Sequence, residues 1–183
     1  NDEYMISKIK LLDKEFKIFI KDNEIQKIVE SISTNINKLQ VKNPLFIAVL
    51  NGSFLFASDI MRKITLPDAE ISFIKLSSYS GTKSTGNVNE LIGLNKQIKN
   101  RNVIILEDIV DTGNTLEKII KILKEKKVAS YKIATLLFKP DAYTKNINID
   151  YIGKSIKNDF VVGYGLDYDE IGRNLPHIYK LKN

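Results

Sequence analysis

The sequence predicts an α/β fold, in which a central, mostly parallel sheet is flanked by helices and carries a small hood of short strands. Continuous apolar runs at residues 45–50, 103–106 and 132–138 have the length and the β-branched content of buried strands. Segments with apolar residues at helical spacing lie between these runs, and such alternation is typical of parallel sheets. The 183 residues contain no internal repeat and no linker, so we expect one domain that spans residues 1–183.

The elements of the first half of the chain follow from hydrophobic spacing and capping residues. We expect, in order, a short strand that ends at residues 17–20, a helix capped by Asp22 or Asn23, the strand at residues 45–50, a helix from Ser53 to about Ile64, and a strand at residues 71–76.

The second half begins with a long loop, because residues 77–89 are rich in Ser, Gly, Thr and Asn. The strand at residues 103–106, a turn, a helix over residues 116–123 and the strand at residues 132–138 follow. Short strand-like pieces lie around Tyr151 and Phe160. We expect the hood to come mainly from residues 140–183 together with the N-terminal segment.

Composition excludes several kinds of site. The chain has no cysteine, so it has no disulfide, no thiolate metal site and no cysteine nucleophile. Its net charge of +6 permits an anionic partner, but the lysines are scattered and form no long basic run, which is typical of a solvated surface. No segment has the length and apolarity of a membrane helix, and no signal peptide is recognisable, so we expect a cytoplasmic protein that binds no membrane.

The segment from Val103 to Thr115 carries the strongest functional signal. Its apolar strand is expected to end before Glu107 and Asp108, and a loop with hydroxyls and a glycine then leads into a helix. Ligands of open α/β sheets bind beyond the carboxyl ends of the strands, and helix N-termini favour phosphate. Two carboxylates beside such a loop suit the hydroxyls of a ribose, or a metal ion or its waters. The segment therefore predicts a ligand that combines a diol with a 5′-phosphate.

This segment resembles the phosphoribosyl pyrophosphate motif of type I phosphoribosyltransferases. The resemblance implies that Glu107 and Asp108 hold the ribose hydroxyls. It also implies that the loop grips the 5′-phosphate through the following residues: Asp111, Thr112, Gly113, Asn114 and Thr115.

Other blocks appear in the order of that family, from about residue 45 to the C-terminus, and are similar to hypoxanthine-guanine phosphoribosyltransferases. The loop with Leu50, Asn51 and Gly52 is similar to their pyrophosphate-binding loop, to which Arg173 is expected to reach. Ser78 and Tyr79 lie where that family has its flexible catalytic loop.

The resemblance also implies how a purine is held. Phe160 would stack on the ring, the backbone of Val161 would read its edge, and Ile109 would pack on the other side. Lys139 is a donor, which suits the 6-oxo oxygen of hypoxanthine or guanine and not the amino group of adenine. Asp167 would help to hold Mg²⁺.

The pyrophosphate loop departs from the family pattern at one position. Many members have a lysine where this chain has Asn51, so that positive charge is absent here. The family often has a non-proline cis peptide at this point, which predicts a cis bond between Leu50 and Asn51.

The function implied by the resemblance is purine salvage. The enzyme would join a 6-oxopurine to phosphoribosyl pyrophosphate and release pyrophosphate, with Asp111 as the general base and Mg²⁺ bound by Glu107, Asp108 and Asp167. A homodimer or homotetramer is expected. The alternatives are an enzyme specific for xanthine or a pyrimidine, a nucleic-acid-binding regulator with the same fold, and a nucleotide-binding module without transfer activity. His177, the only histidine, has no role in these predictions.

Overall fold

The computed structural model describes residues 7–77, 90–92 and 97–183. Its helices are α1 (Asp22–Ile36), α2 (Phe54–Met61) and α3 (Asn114–Glu125). Its strands are β1 (Lys8–Leu11), β2 (Lys14–Ile20), β3 (Leu45–Val49), β4 (Glu70–Leu76), β5 (Glu90–Ile92), β6 (Asn102–Val110), β7 (Ser130–Phe138), β8 (Tyr151–Ser155), β9 (Val161–Val162) and β10 (Ile178–Leu181).

The central sheet has six strands in the order β5-β4-β3-β6-β7-β8. All neighbouring pairs are parallel except β4 and β5, so the predicted mostly parallel sheet is confirmed. The antiparallel strands β1-β2-β10-β9 form a separate small sheet, which is the hood. Both ends of the chain therefore contribute to the hood.

The two faces of the central sheet are covered by different helices. In β3 all five residues are buried, as the continuous apolar run predicts. Phe46 and Ala48 belong to the same apolar cluster as α1 and α2. Leu45, Ile47 and Val49 belong to the cluster that contains α3. Alternate residues of a strand point to opposite faces, so β3 packs against helices on both sides.

Two of the predicted strands differ from the prediction in their place or extent, and β1, β5 and β10 were not predicted as strands. β8 was expected in the hood but pairs in parallel with β7 at the edge of the central sheet, where it packs against α1. β6 continues to Val110 and does not end at Leu106, so Glu107 and Asp108 lie within the strand. The extension has a partner, because β7 pairs with β6 as far as Val110, whereas β3 pairs with it only as far as Leu106.

The helix ends also differ from the prediction. The N-cap of α1 is Lys21, which lacks a capping side chain, and α1 begins at Asp22. The backbone N–H of Asp22 donates instead to Nδ1 of His177 at 2.8 Å, which gives the single histidine a structural role. Ser53 is the N-cap of α2 as expected, although its side chain makes no capping hydrogen bond, and α2 ends at Met61. None of the helices in the described ranges is both long and apolar enough to cross a membrane.

Candidate active site

A cleft of about 390 Å³ opens beyond the carboxyl ends of β3, β4 and β6. This is the edge at which parallel sheets bind ligands. The cleft is lined by the end of β3 and the turn after it, the end of β4, the end of β6 with the following loop and first turn of α3, and two hood residues: Val49, Leu50, Gly52, Leu76, Ser77, Glu107, Asp108, Ile109, Val110, Asp111, Thr112, Gly113, Asn114, Thr115, Leu116, Lys118, Asp167 and Arg173.

Most of the site residues named from the sequence meet at this cleft. Four of them, Asn51, Lys139, Phe160 and Val161, are not part of its wall. The two loop residues Ser78 and Tyr79 lie outside the described residues. Six lining residues were not predicted as site residues, and among them Lys118 is the one with a charged side chain. Its position one helical turn after Asn114 was the available signal, because residues i and i+4 share a helix face.

Glu107, which is buried, and Asp108, which is partly buried, form an acidic pair at the end of β6. Burial, the adjacent charge of Asp108 and a hydrogen bond with its carboxyl raise the pKa of Glu107 well above its usual value. Burial also raises the pKa of Asp108 to about 6, although backbone hydrogen bonds and the charge of Arg173 act in the opposite direction. A cation bound at this pair would favour the ionised carboxylates, because an opposite charge nearby stabilises the charged form.

The donors around the cleft fit magnesium. The described part of the chain has no group of three or more histidine, cysteine or acidic side chains arranged to hold a metal ion. Mg²⁺ does not need such a group, because it keeps several waters and is usually bound through one or two carboxylates and the substrate's phosphates. Glu107, Asp108 and Asp167 offer only oxygen donors, which are the ligands that Mg²⁺ prefers.

The loop after β6 is shaped for an anion. Gly113 has a φ of +90° and directly precedes α3, which begins at Asn114. The first N–H groups of a helix lack intrahelical partners and lie at the positive end of its dipole. A Cβ on Gly113 would lie 2.6 Å from the ring of Tyr143 and 2.8 Å from the side chain of Lys145, so only glycine fits there. Tyr143 and Lys145 thus pack tightly against the loop at Gly113, while the start of α3 lies at the cleft.

The turn after β3 lies in contact with the acidic pair. The bond between Leu50 and Asn51 is cis, which confirms the prediction. A side chain at Gly52 would overlap the carboxylate of Asp108. A side chain at Gly165 of the hood would in turn overlap the carbonyl oxygen of Gly52. Three distant segments of the chain therefore meet here without room for a single added carbon.

Arg173 joins the hood to this contact. Its Nη1 donates to the carbonyl oxygen of Gly165 at 2.7 Å, and its Nη2 lies 3.4 Å from Oδ1 of Asp167. Asp167 also accepts a hydrogen bond from the backbone N–H of Glu170 at 2.8 Å. The guanidinium and the Asp167 carboxylate are thus held beside each other at the cleft.

The residues named for the purine are divided between the cleft and the hood. Lys139 Nζ lies 3.5 Å from Oδ2 of Asp111, and the lysine is 11% exposed whereas the aspartate is 51% exposed. Phe160 is 43% exposed, and its ring contacts Phe16 and the edge of Tyr168. Val161 is buried in β9. The structure thus brings Lys139 to Asp111, but it does not bring Phe160 or Val161 to the cleft wall.

Replacement of Asp108 by Asn should change how stability depends on pH. The raised pKa means that the folded wild type loses stability, relative to a neutral isostere, as pH rises from 3.8 to about 6. We expect Asp108→Asn to be more stable than the wild type by up to about 3 kcal/mol at pH 7 and by little at pH 4. Urea unfolding at several pH values measures the difference. Asp141→Asn, at an exposed carboxylate, is the control and should follow the wild-type curve; a constant difference for Asp108→Asn would contradict the assignment.

Comparisons with known proteins agree with this geometry. Residues 20–169 match the family model described as the phosphoribosyl transferase domain. The chain is 41% identical over 168 residues to a hypoxanthine-guanine phosphoribosyltransferase of Staphylococcus aureus, which covers 91% of this chain and 93% of the relative.

Solved structures give the same answer. A crystal structure of a hypoxanthine phosphoribosyltransferase from Staphylococcus aureus superposes with a TM-score of 0.84 and 41% identity over 91% of both chains. The hypoxanthine phosphoribosyl transferase of Trypanosoma cruzi, whose C-terminal region was studied for its role in oligomeric state and activity, gives a TM-score of 0.83 at 32% identity over 95% of both chains. The family match and the identity to these relatives show that this chain belongs to the phosphoribosyltransferase family, among the hypoxanthine-guanine phosphoribosyltransferases.

Proposed function

We propose that this protein is a purine-salvage enzyme, which transfers the 5-phosphoribosyl group of phosphoribosyl pyrophosphate to hypoxanthine or guanine. The products are IMP or GMP and pyrophosphate. The observation that carries the proposal is one cleft at the end of β6 that joins the acidic pair to a loop shaped for phosphate. The named relatives are enzymes of this activity, which favours it over a nucleic-acid-binding regulator or a pyrimidine-using enzyme.

The sugar-phosphate half of the substrate would be held at the ends of β6 and α3. The 5′-phosphate would bind the backbone N–H groups and hydroxyls of residues 111–115 at the start of α3. Glu107 and Asp108 would accept hydrogen bonds from the two ribose hydroxyls. Lys118 lies on the same wall, where its ammonium group adds positive charge beside the phosphate.

The pyrophosphate group would lie between the turn after β3 and the hood. The backbone N–H groups around Asn51 and Gly52 would donate to it, and Arg173 would supply the positive charge that Asn51 lacks. Glu107, Asp108 and Asp167 would hold Mg²⁺, either directly or through water. When bound, the ion would offset the negative charge that develops on the departing pyrophosphate.

The purine would lie beside Asp111 and Lys139. A 6-oxopurine has its oxygen O6 and its nitrogen N7 next to each other on one edge. Lys139 would donate to O6, and Asp111 would accept the proton that leaves N7 as the new bond forms at ribose C1′. The 3.5 Å separation of the two side chains allows them to contact these neighbouring atoms together. Ile109 would cover one face of the ring, while Phe160 and the backbone of Val161 would contact it from the hood.

The decisive test is a pyrophosphate-release assay. The protein, Mg²⁺ and phosphoribosyl pyrophosphate are mixed with hypoxanthine, guanine, xanthine, adenine or uracil in turn. We expect release with hypoxanthine or guanine and none with adenine, whose 6-amino group cannot accept from Lys139, or with uracil, which has no N7 for Asp111. Nucleotide formation is followed by chromatography. Release with no base at all, or with uracil in preference to the purines, would contradict the proposal.

The roles of Asp111 and Lys139 can be separated by paired variants. We expect Asp111→Asn to lower kcat about 10²- to 10⁴-fold while the affinity for phosphoribosyl pyrophosphate stays close to that of the wild type. Lys139→Ala should mainly raise the KM for the purine, because it removes the donor to O6. Steady-state kinetics with each substrate varied in turn make the comparison. An effect of Lys139→Ala on phosphoribosyl pyrophosphate alone would reject the purine assignment.

We also propose that the chain forms a homodimer or homotetramer through the outer part of β4. Ile71 and Phe73 are 37% and 40% exposed and point to the same face of the sheet as Phe46 and Ala48, their partners in β3. Phe54, at the start of α2 on that face, is also exposed. Adjacent exposed apolar side chains often mark an interface, and oligomeric state is a studied property of the Trypanosoma cruzi relative.

Light scattering after size-exclusion chromatography tests this surface. The wild type should elute as a dimer or tetramer, and Phe73→Lys should lower the mass because it places a charge in the apolar contact. Ile152→Lys is the matched control, since Ile152 is equally exposed but lies at the opposite edge of the sheet. The proposal fails if the wild type is a monomer or if Phe73→Lys keeps the wild-type mass.

A further inference from the structure

The hood presents an unusual turn to the cleft. In this hood turn, residues 163–167, three consecutive residues have left-handed backbones: Gly163 with φ +106°, Tyr164 with φ +49° and Gly165 with φ +97°. Glycine adopts such angles at no cost, but a tyrosine there is strained by about 1–2 kcal/mol. Strained residues persist only where their surroundings enforce them, and they are concentrated at functional sites.

The side chain of Tyr164 shows what enforces this conformation. It is 3% exposed and lies in the apolar cluster of α1 and α2. Its hydroxyl donates a hydrogen bond to Oδ2 of Asp59 on α2. Gln26 of α1 also donates to this oxygen, at 3.3 Å. Burial and the neighbouring Asp59 raise the pKa of Tyr164 well above its usual value, so the hydroxyl stays a donor at all physiological pH values.

The other side of the hood turn contacts the pyrophosphate loop. Gly165 lies against the carbonyl oxygen of Gly52 so closely that no side chain would fit between them. Arg173 is tied to the same glycine twice: its Nη1 donates to the Gly165 carbonyl at 2.7 Å, and its own carbonyl accepts from the Gly165 N–H at 2.8 Å. The place of the hood turn therefore sets the place of both Gly52 and the Arg173 guanidinium.

These contacts connect the hood turn at two points to one segment of the chain, the end of the pyrophosphate loop and α2. Gly52 lies two residues before the start of α2, and Asp59 lies within it. The hood turn thus contacts the chain at Gly52 and, through Tyr164, again seven residues later. A shift of the hood turn away from Gly52 would require the Tyr164–Asp59 hydrogen bond to break or α2 to move with it.

We propose that Tyr164 and Asp59 are positioning residues, whose buried hydrogen bond holds the hood turn against the pyrophosphate loop and so sets the affinity for pyrophosphate. The inference rests on the proposed function, because it takes the cleft beside Gly52 and Arg173 to be the pyrophosphate site. Neither residue lines the cleft, and the Tyr164 side chain is buried with its hydroxyl on Asp59, so the pair would act on the ligand through Gly165 and Gly52.

The test uses calorimetric titration of the full chain with magnesium pyrophosphate and, separately, with GMP. Tyr164→Phe keeps the buried ring and removes only the hydroxyl. We expect it to weaken pyrophosphate binding and to raise the KM for phosphoribosyl pyrophosphate about tenfold, since a lost hydrogen bond of roughly 1.4 kcal/mol corresponds to that factor. Affinity for GMP, which uses the phosphate loop and not the pyrophosphate loop, should stay within about twofold of the wild type, a change of under about 0.5 kcal/mol.

Two further variants separate positioning from general stability. Asp59→Asn keeps an oxygen that can accept from the hydroxyl, so it should retain most of the pyrophosphate affinity that Asp59→Ala loses. Asp13→Ala is the matched control, because Asp13 accepts from the hydroxyl of Tyr168, the other Tyr–Asp pair of the hood. It should leave pyrophosphate binding unchanged. Thermal melts by circular dichroism verify that each variant is folded at the assay temperature.

The outcomes are distinct. If Tyr164→Phe and Asp59→Ala lower Tm but bind pyrophosphate as the wild type does, the pair is only structural and this inference is overturned. It is also overturned if GMP binding weakens equally, or if Asp13→Ala has the same effect. Failure of the wild type itself to bind pyrophosphate would overturn the proposed function, and the inference with it. A loss confined to pyrophosphate that Asp59→Asn largely restores would support it.

Discussion

The position of two adjacent carboxylates, at the end of a buried strand, determines how the other parts of this site are arranged. β6 continues beyond its pairing with β3, so Glu107 and Asp108 lie where one neighbouring strand has ended and the other continues. Burial raises the pKa of both groups, which means that the fold destabilises their ionised forms. The space beyond the end of β3 is occupied by a turn in which Gly52, without a side chain, lies against the Asp108 carboxylate. The position of the acidic pair and the position of the turn therefore depend on each other.

That turn transmits the constraint to the hood. Gly52 lies between the Asp108 carboxylate and Gly165, with no space for a Cβ on either glycine. A small rotation of the hood would therefore displace the carbonyl of Gly52 and the acidic pair. Close packing of this kind makes distant segments move together, because interiors are dense and resist deformation. The hood and the site are thus in direct contact and should move together, although the hood strands belong to a separate sheet.

Local signals explain what could be predicted from the sequence. The runs at β3, β6 and β7 are apolar because both faces of the sheet are covered, and this pattern is visible without coordinates. The segment that contains Glu107 and Asp108 was recognisable because its acids, glycine and hydroxyls lie close together in the chain. The extent of β6 was not predictable, because it depends on how far β7 continues beside it.

Contacts between distant residues account for the remaining differences. The sequence predicts that β8 is a short hood strand, but its pairing with β7 and its packing on α1 place it in the central sheet. The acceptor for the first N–H of α1 is His177, which is 155 residues away. In the sequence, nothing distinguishes Tyr164 from other aromatic residues. Its left-handed backbone is explained only by its hydrogen bond to Asp59. In each case the decisive partner is remote in sequence.

The charge balance of the cleft supports the proposal that a cation accompanies the substrate. The net charge of +6 belongs to the whole chain and does not describe the cleft. Its wall has four carboxylates, on Glu107, Asp108, Asp111 and Asp167, against the two cations Lys118 and Arg173. When all four are ionised, they outnumber these two cations together with Lys139, whose Nζ lies 3.5 Å from Oδ2 of Asp111. A bare diphosphate next to the buried Glu107 carboxylate and to Asp108 would therefore be repelled by them. A divalent ion bound to the substrate offsets two of its negative charges and attracts the carboxylates, which supports the proposal that magnesium phosphoribosyl pyrophosphate, and not the free anion, is the species that binds.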